Sequence, residues 1–364
     1  MTDRLTNLLH DGVDTLHIPP APTAAVLTQG RRLRRRRQAL TSLASLAVVA
    51  VLGGGAALGA QLLGNPDRSV DPAGGTDDFA STGAFAIGSE LHIGGRAVDL
   101  GEPIKAVYYT AAGAVVRSGT HAATDSPGPS HYTLVTPDGT RSRLDLEMGD
   151  RIAGFEPDSN RVAYAEPNGD RWDVVVVDVT TGEEVGRTTV AGSFTWGGWE
   201  APPVTLDGDV VWAHFDDGWT EVNWSTGAFR KVPGTSTVSE AANGRYADRA
   251  DGRWTIRSMA DGSQVGTLEL DEGWYGFLSP DGRYLLTFYD DVADTPRFSR
   301  VVYDVVTGEH RGIRDTGDDT GWTPDGHLLT VDGDTVSICA PISGACTTQT
   351  IDAGSGGLKI GGHS

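Results

Sequence analysis

Leu278–Ser279–Pro280–Asp281–Gly282 leads directly into the apolar run Tyr284–Leu285–Leu286. Trp322–Thr323–Pro324–Asp325–Gly326 leads in the same way into Leu328–Leu329. An apolar or aromatic residue, a Pro-Asp-Gly turn and a short strand thus recur in one order. Proline presets φ, aspartate closes the turn with its own side chain, and glycine takes the positive φ that the chain needs to reverse. A third copy is Phe155–Glu156–Pro157–Asp158–Ser159–Asn160 before Arg161–Ala165, and degenerate copies stand at Leu206–Gly208 and Ala242–Gly244.

A second element alternates with the first. It is a strand ending in a Thr-Gly or similar turn, as in Val174–Gly186 and Val301–Gly312, with weaker copies ending at Gly227, Gly262 and Gly344 and an early one at Asp138–Gly139. The turn glycines fall at 139, 182, 227, 262, 308 and 344. An irregular period of about 40 residues with several short strands per repeat is the pattern of four-stranded propeller blades. A lone blade cannot bury both of its faces, so blades stack around an axis. The expected fold is all-β, a β-propeller of six four-stranded blades at about 99–150, 151–191, 201–233, 237–270, 274–313 and 318–351. The hairpin Ser89–Leu100 is left over. It either completes the last blade and latches the ring or belongs to an incomplete seventh. An elongated β-sandwich is the competing architecture.

Composition agrees with a strand-rich chain. Of 364 residues 49 are Gly and 18 are Pro, and Met is scarce at 3. The net charge is −20 but is unevenly spread: residues 1–38 carry seven Arg and three Asp, leaving 22 basic and 46 acidic residues for the rest. A domain this acidic repels phosphates, which argues against nucleic acid as a ligand.

Residues 39–63, Ala39 to Leu63, contain 25 residues without a charge. As a helix they extend roughly 37 Å, enough to cross a hydrocarbon core of about 30 Å. Arg31, Arg32, Arg34, Arg35, Arg36 and Arg37 immediately precede the span, and cytoplasmic flanks are the ones rich in Lys and Arg. The sequence therefore reads as a short basic cytoplasmic tail (1–38), a transmembrane helix (39–63) in the lipid bilayer, a flexible polar linker (64–83) and an extracytoplasmic propeller (84–364). A cleaved secretory signal is the rival reading, and its n-region would be unusually long. In the tail, Leu5, Leu8, Leu9, Val13 and Leu16 fall on one helical face, a candidate docking surface for a cytoplasmic partner.

The Pro-Asp-Gly repeats resemble those of the TolB-type propeller, a relative of WD-repeat blades. The resemblance covers roughly 151–347 and is strongest at Phe277–Thr287 and Trp322–Thr330, although the Trp-Asp dipeptide that closes true WD blades is not seen at the repeat position. The layout as a whole also resembles actinobacterial single-pass proteins with a propeller outside the cell. Neither resemblance implies a particular ligand.

Cys339 and Cys346 are the only cysteines and flank the final Ser-Gly turn, so a hairpin places them on facing strands. Outside the cytoplasm they are expected to form a disulfide. Trp196, Trp199, Trp212, Trp219 and Trp224 crowd one stretch, where packing between blades is favoured over an aromatic ligand platform. The acidic turns at Asp207–Asp209, Asp332–Asp334 and Asp315–Asp319 lack EF-hand spacing and read as solvated hairpins. His is scattered, without zinc-ligand spacing, and neither a nucleophile elbow nor a phosphate loop is present. The expectation is a non-enzymatic binding or scaffold module with a protein or cell-envelope ligand, and with no cofactor, metal or catalytic residue. The alternatives are a transmembrane regulator whose tail binds a partner such as a sigma factor, and an enzyme with its site in the propeller funnel.

Overall fold

The computed structural model describes residues 76–122, 129–146, 148, 151, 153–195, 200–232, 238–250, 253–259, 261–269, 274–289, 300–313, 319–351 and 356–362. The six turn glycines of the repeat all adopt the left-handed backbone, with φ between 69° and 85°. At five of these turns a side-chain amide or carboxylate oxygen closes the loop from within. Asp138, Asp178, Asn223, Asp261 and Asp304 accept from the backbone N–H of Thr140, Thr180, Thr226, Ser263 and Val306. The periodicity that marks the repeat is thus a periodicity of turn chemistry.

Between these turns lie seven antiparallel four-stranded sheets. Blade 2 comprises β4 (Ile104–Thr110), β5 (Gly113–Gly119), β6 (Ser130–Val135) and β7 (Arg141–Leu144). Blade 3 comprises β8 (Gly154–Phe155), β9 (Arg161–Asn168), β10 (Arg171–Asp178) and β11 (Glu184–Val190). Blade 4 holds β12 (Val204–Asp207), β13 (Val210–Phe215), β14 (Gly218–Asn223) and β15 (Ala228–Val232). Blade 5 holds β16 (Val238–Ala242), β17 (Arg245–Ala250), β18 (Arg253–Ser258) and β19 (Gln264–Glu269). Blade 6 is β20 (Trp274–Leu278), β21 (Tyr284–Tyr289), β22 (Arg300–Asp304) and β23 (His310–Ile313). Blade 7 is β24 (Asp319–Trp322), β25 (Leu328–Asp332), β26 (Thr335–Cys339) and β27 (Cys346–Thr350).

These six sheets coincide with the six units read from the sequence, but the ring has a seventh blade, so a count of six is corrected to seven. Blade 1 is assembled from both ends of the domain. Its strands β1 (Ala84–Ile87), β2 (Glu90–Ile93) and β3 (Arg96–Asp99) follow one another, and β28 (Leu358–Ile360) returns to pair with β1 through Phe85↔Ile360 and Ile87↔Leu358. The leftover hairpin is β2–β3.

Seven wedges separate the seven blades, and each is filled by its own apolar cluster. Ile93, Val107 and Val116 fill the wedge between blades 1 and 2, and Val115, Phe155 and Val162 the next. Val174 and Val211 meet between blades 3 and 4, and Trp212 and Tyr246 between 4 and 5. Trp254 and Leu285 fill the space between blades 5 and 6, and Leu286 and Trp322 that between 6 and 7. Phe85, Ile360 and Leu329 close the circuit from blade 7 to blade 1. A cyclic series of wedges fits a propeller and not the two packed sheets of a sandwich. Position within the blade sets the strand pattern. The central strands β5 and β10 are buried on both faces, whereas the outer strands β15 and β27 are almost wholly exposed.

The segment read as a flexible linker ends in a short helix, α1 (Thr76–Thr82), which stops at Gly83 with φ 66°. Its Phe79 is buried edge-on against Tyr109, with ring centroids 5.7 Å apart. An apolar ring gains more from this burial than the tether gains from remaining free, so the last part of the linker belongs to the propeller. Among the described residues no helix is long and apolar enough to cross a membrane. Residues 39–63, the arginines at 31–37 and the leucine face at 5–16 lie outside the described residues.

Candidate functional site

The two ends of the ring are unlike. At one end every connection within a blade is short, none exceeding six residues. The turns between the first and second strands also clasp one another around the ring. The Ala111 N–H donates to the Ser159 carbonyl, linking blade 2 to blade 3. The Gly208 N–H donates to the Glu156 carboxylate and the Gly244 N–H to that of Asp207, which carries the chain of contacts through blades 4 and 5. Asn243 Nδ2 donates to the Asp281 carbonyl on blade 6. Blade 1 has no such turn, because its first and second strands come from opposite ends of the domain. Helix α1 stands in its place: the Ala80 carbonyl accepts from the Asp325 N–H of blade 7 at 3.0 Å.

At the opposite end successive strands are separated by longer stretches of sequence, residues 120–129, 145–153, 191–203 and 290–299. Here a polar cluster sits in the wedge between blades 2 and 3. The register of β4 on β5 slips between Ile104 and Ala106, so Lys105 occupies a β-bulge. Bulges re-aim side chains and are common beside functional sites. Lys105 is 0% exposed and Arg117 3%. Lys105 Nζ and Arg117 Nε both donate to Ser130 Oγ, at 3.3 and 3.1 Å. On the other face of the same strands, toward blade 1, the Ser118 hydroxyl donates to Glu102 Oε2 at 3.3 Å, and His131 Nε2 stands 4.0 Å from the other oxygen of that carboxylate. Tyr108, stacked on Phe155 at 4.2 Å, lies below. Burial raises its pKa and Arg117 opposes the rise. Two buried cations thus share one hydroxyl oxygen as an acceptor, beside the β5–β6 strand ends. Sequence reasoning missed this cluster. Its one sequence signal was a lone lysine within the apolar run Ile104–Tyr109.

A second feature lies at the tight-turn end. A cleft of about 420 Å³ runs between the end of α1 and the β26–β27 hairpin, lined by Ser81, Thr82, His327, Ile338 and Thr347 among others. His327 Nδ1 lies 2.8 Å from Asp325 Oδ1. Cys339 and Cys346 form the expected disulfide across that hairpin. Trp212 and Trp219 are buried in the wedge between blades 4 and 5, as packing residues. Trp224 is half-buried under the Arg161 guanidinium at 4.5 Å, and its Nε1 donates to the Gly208 carbonyl. Trp196 and Trp199 lie outside the described residues. Asp207 holds the neighbouring turn, a structural role. Among the described residues no three His, Cys, Asp or Glu side chains group as metal ligands.

No protein-family model and no curated protein matches this sequence. Solved structures of similar fold do exist. TolB from Acinetobacter baumannii aligns over 72% of this chain and 69% of its own, at 15% identity and a TM-score of 0.41. Apo AztD from Citrobacter koseri aligns over 76% and 97%, at 11% identity and 0.47. Hydrazine synthase from Kuenenia stuttgartiensis aligns over 66% and 77%, at 12% identity and 0.43. At such identities and scores no activity or ligand carries over from any of them, and the fold rests on the blade topology itself.

Proposed function

We propose that the chain is a membrane-anchored, extracytoplasmic β-propeller acting as a non-enzymatic binding or scaffold module for a protein or cell-envelope ligand. The observation that carries the reading is the division of labour between the two ends of the ring. The chain enters at the tight-turn end through α1, and the longer stretches of sequence between strands depart from strand ends on the other side. Loops on a rigid scaffold are where binding residues concentrate. The buried Lys105–Arg117–Ser130 cluster holds the ends of β4, β5 and β6 together beside those loops. The uncharged span at 39–63, with its arginine flank, supplies the anchor.

A photo-crosslinking amino acid placed at Asp170, in the loop-rich turn of blade 3, is expected to capture an envelope component in the native host. The same group at Thr181, in the opposite turn of that blade, is expected to capture none. Adducts from Thr181 alone would reject the loop-rich end as the binding face. Protease added to intact spheroplasts should remove the propeller, and its protection while an outer control protein is cut would reject the extracytoplasmic placement.

A further inference from the structure

A disulfide stabilises a fold most where it closes a long loop. Cys339 and Cys346 close a short one, seven positions apart on adjacent strands. Their hairpin is already held by the β26–β27 ladder, which runs from Thr335↔Thr350 to Cys339↔Cys346. Its turn is closed by the Ala340 N–H donating to the Ala345 carbonyl at 2.9 Å and the Gly344 N–H donating to the Ala340 carbonyl at 3.0 Å. The two cysteines differ in their surroundings. Cys339 is half-buried and, with Ile313 and Ile342, packs on the apolar cluster between blades 6 and 7, whereas Cys346 is exposed. Exposed disulfides are the ones that thiols reach and reduce.

One cation lies against this loop. Arg311 on β23 of blade 6 is two residues before Ile313 and shares its face, so it is turned toward blade 7. Its Nε donates to the Pro341 carbonyl at 2.8 Å. Its Nη1 packs so closely on Gly344 that a Cβ there would collide with it. Both contacts fall within the loop that the two cysteines bound. Among the described residues no carboxylate pairs with Arg311, and no residue from Ala340 to Ile351 carries a charge. A positive charge beside a cysteine stabilises its thiolate, and a stabilised thiolate leaves faster in thiol–disulfide exchange. The same cation draws an incoming thiolate to this hairpin, in a domain whose net charge repels one.

We propose that the Cys339–Cys346 disulfide is an exchange site, attacked at Cys346 by a dithiol reductant while Arg311 stabilises the thiolate that leaves from Cys339. One thiolate of the reductant bonds to the Cys346 sulfur, and the bond between the cysteines breaks with its electron pair on the Cys339 sulfur. The reductant's second thiol, once deprotonated, attacks the reductant's own sulfur in the mixed disulfide and releases Cys346 as a thiolate. The reductant departs as a disulfide. The propeller gains two electrons, and its two thiolates take up the two protons that the reductant released. The ladder and turn bonds persist, so the blade stays folded in both states. The site does not depend on the ligand of the loop-rich end.

The test uses the full chain purified from producing cells, with dithiothreitol as the dithiol and a mass-tagged maleimide to count thiols over time. At neutral pH the folded chain should be reduced at a rate within about tenfold of that of the same chain unfolded in guanidinium chloride, and it should stay resistant to limited proteolysis. Reduction only on unfolding, or loss of that resistance, would overturn the proposal. Arg311→Gln should slow reduction of the folded chain by about fivefold or more without changing the unfolded rate, and Arg311→Lys should restore most of the loss. A folded-state rate in Arg311→Gln equal to or above wild type would also overturn it. The attacked sulfur is read with glutathione disulfide as the probe. The Cys346 thiol of Cys339→Ser should react about tenfold or more faster than the Cys339 thiol of Cys346→Ser. Equal rates, or a faster Cys339, would overturn attack at Cys346.

Discussion

The Tyr109 hydroxyl is hydrogen-bonded to both backbone groups of Ala84, accepting from its N–H at 3.0 Å and donating to its carbonyl at 3.1 Å. Tyr109 belongs to blade 2, and Ala84 begins the strand that β28 must find. Gly361, just after β28, donates its N–H to the same carbonyl. A Cβ at Gly361 would fall within 2.6 Å of the Tyr109 ring and hydroxyl, so only glycine lets the returning chain pass. One side chain therefore fixes both ends of the closing blade to its neighbour. Tyr109→Phe leaves the Ala84 N–H buried and unsatisfied, at a cost of about 1–3 kcal/mol. Urea unfolding should show a lower midpoint with an unchanged slope. A midpoint equal to wild type would mean that the hydroxyl is dispensable.

Phe79 ties the end of the tether to the ring. Phe79→Ala should cost about 3 kcal/mol, at the low end for a buried phenylalanine because a peripheral helix can collapse into the space. The variant should also expose α1 to limited proteolysis near Ala80. Resistance equal to wild type would show that the helix does not need this ring to stay docked.

The disulfide closes a short loop, with the two cysteines seven residues apart. Chain-entropy reasoning gives about 2 kcal/mol for such a loop. Cys339→Ser with Cys346→Ser should lower stability by that amount and leave the ring folded. Labelling of the denatured, unreduced wild type with a thiol reagent should tag neither cysteine, and tagging of both would refute the bond.

The repeat was legible because its turns obey local chemistry: aspartate or asparagine closing the loop and glycine at positive φ can be read without knowing what packs where. The seventh blade was legible only in part: the hairpin Ser89–Leu100 could be read as belonging to one, but the strand that completes it could not. β28 has three residues, Leu358–Ile360, and its partner β1 lies at the other end of the domain, so no local turn announces the pairing. α1 was hidden in a segment whose Gly, Asp and Ser suggest a tether, with Phe79 the only hint. Of the tryptophan stretch, Trp212 and Trp219 proved to be wedge packing because large rings fill the widening space between blades. The Lys105–Arg117–Ser130 cluster depends on a bulge and on residues 25 and 13 positions apart, which only the fold brings together.

His214 offers a test through pH. It is buried against Trp219, with ring planes 5° apart and centroids 4.5 Å apart. Burial holds its pKa down at about 4, against the opposing pull of Asp216. In the unfolded chain the imidazole titrates near 6.5, so the unfolded state takes up the proton first. Its contribution to stability is full above pH 6.5, is lost as pH falls from 6.5 toward 4, and levels off below. The difference between 6.5 and about 4 corresponds to about 3 kcal/mol, which solvent screening lowers to about 2 kcal/mol. His214→Phe should flatten the stability profile over that interval. A variant with the wild-type slope would assign the acid sensitivity to other groups.

Closure of blade 1 by β28 also orders events in time. During synthesis β1–β3 emerge first and wait while six further blades are made, their apolar faces at Phe85 and Ile87 uncovered. Leu358–Ile360 cover that seam only after the other 27 strands have been made. A chain cut short before Leu358 would carry every other blade and still present an open wedge, the sort of exposed surface that proteases and chaperones recognise. Three late residues thus decide whether the ring can close.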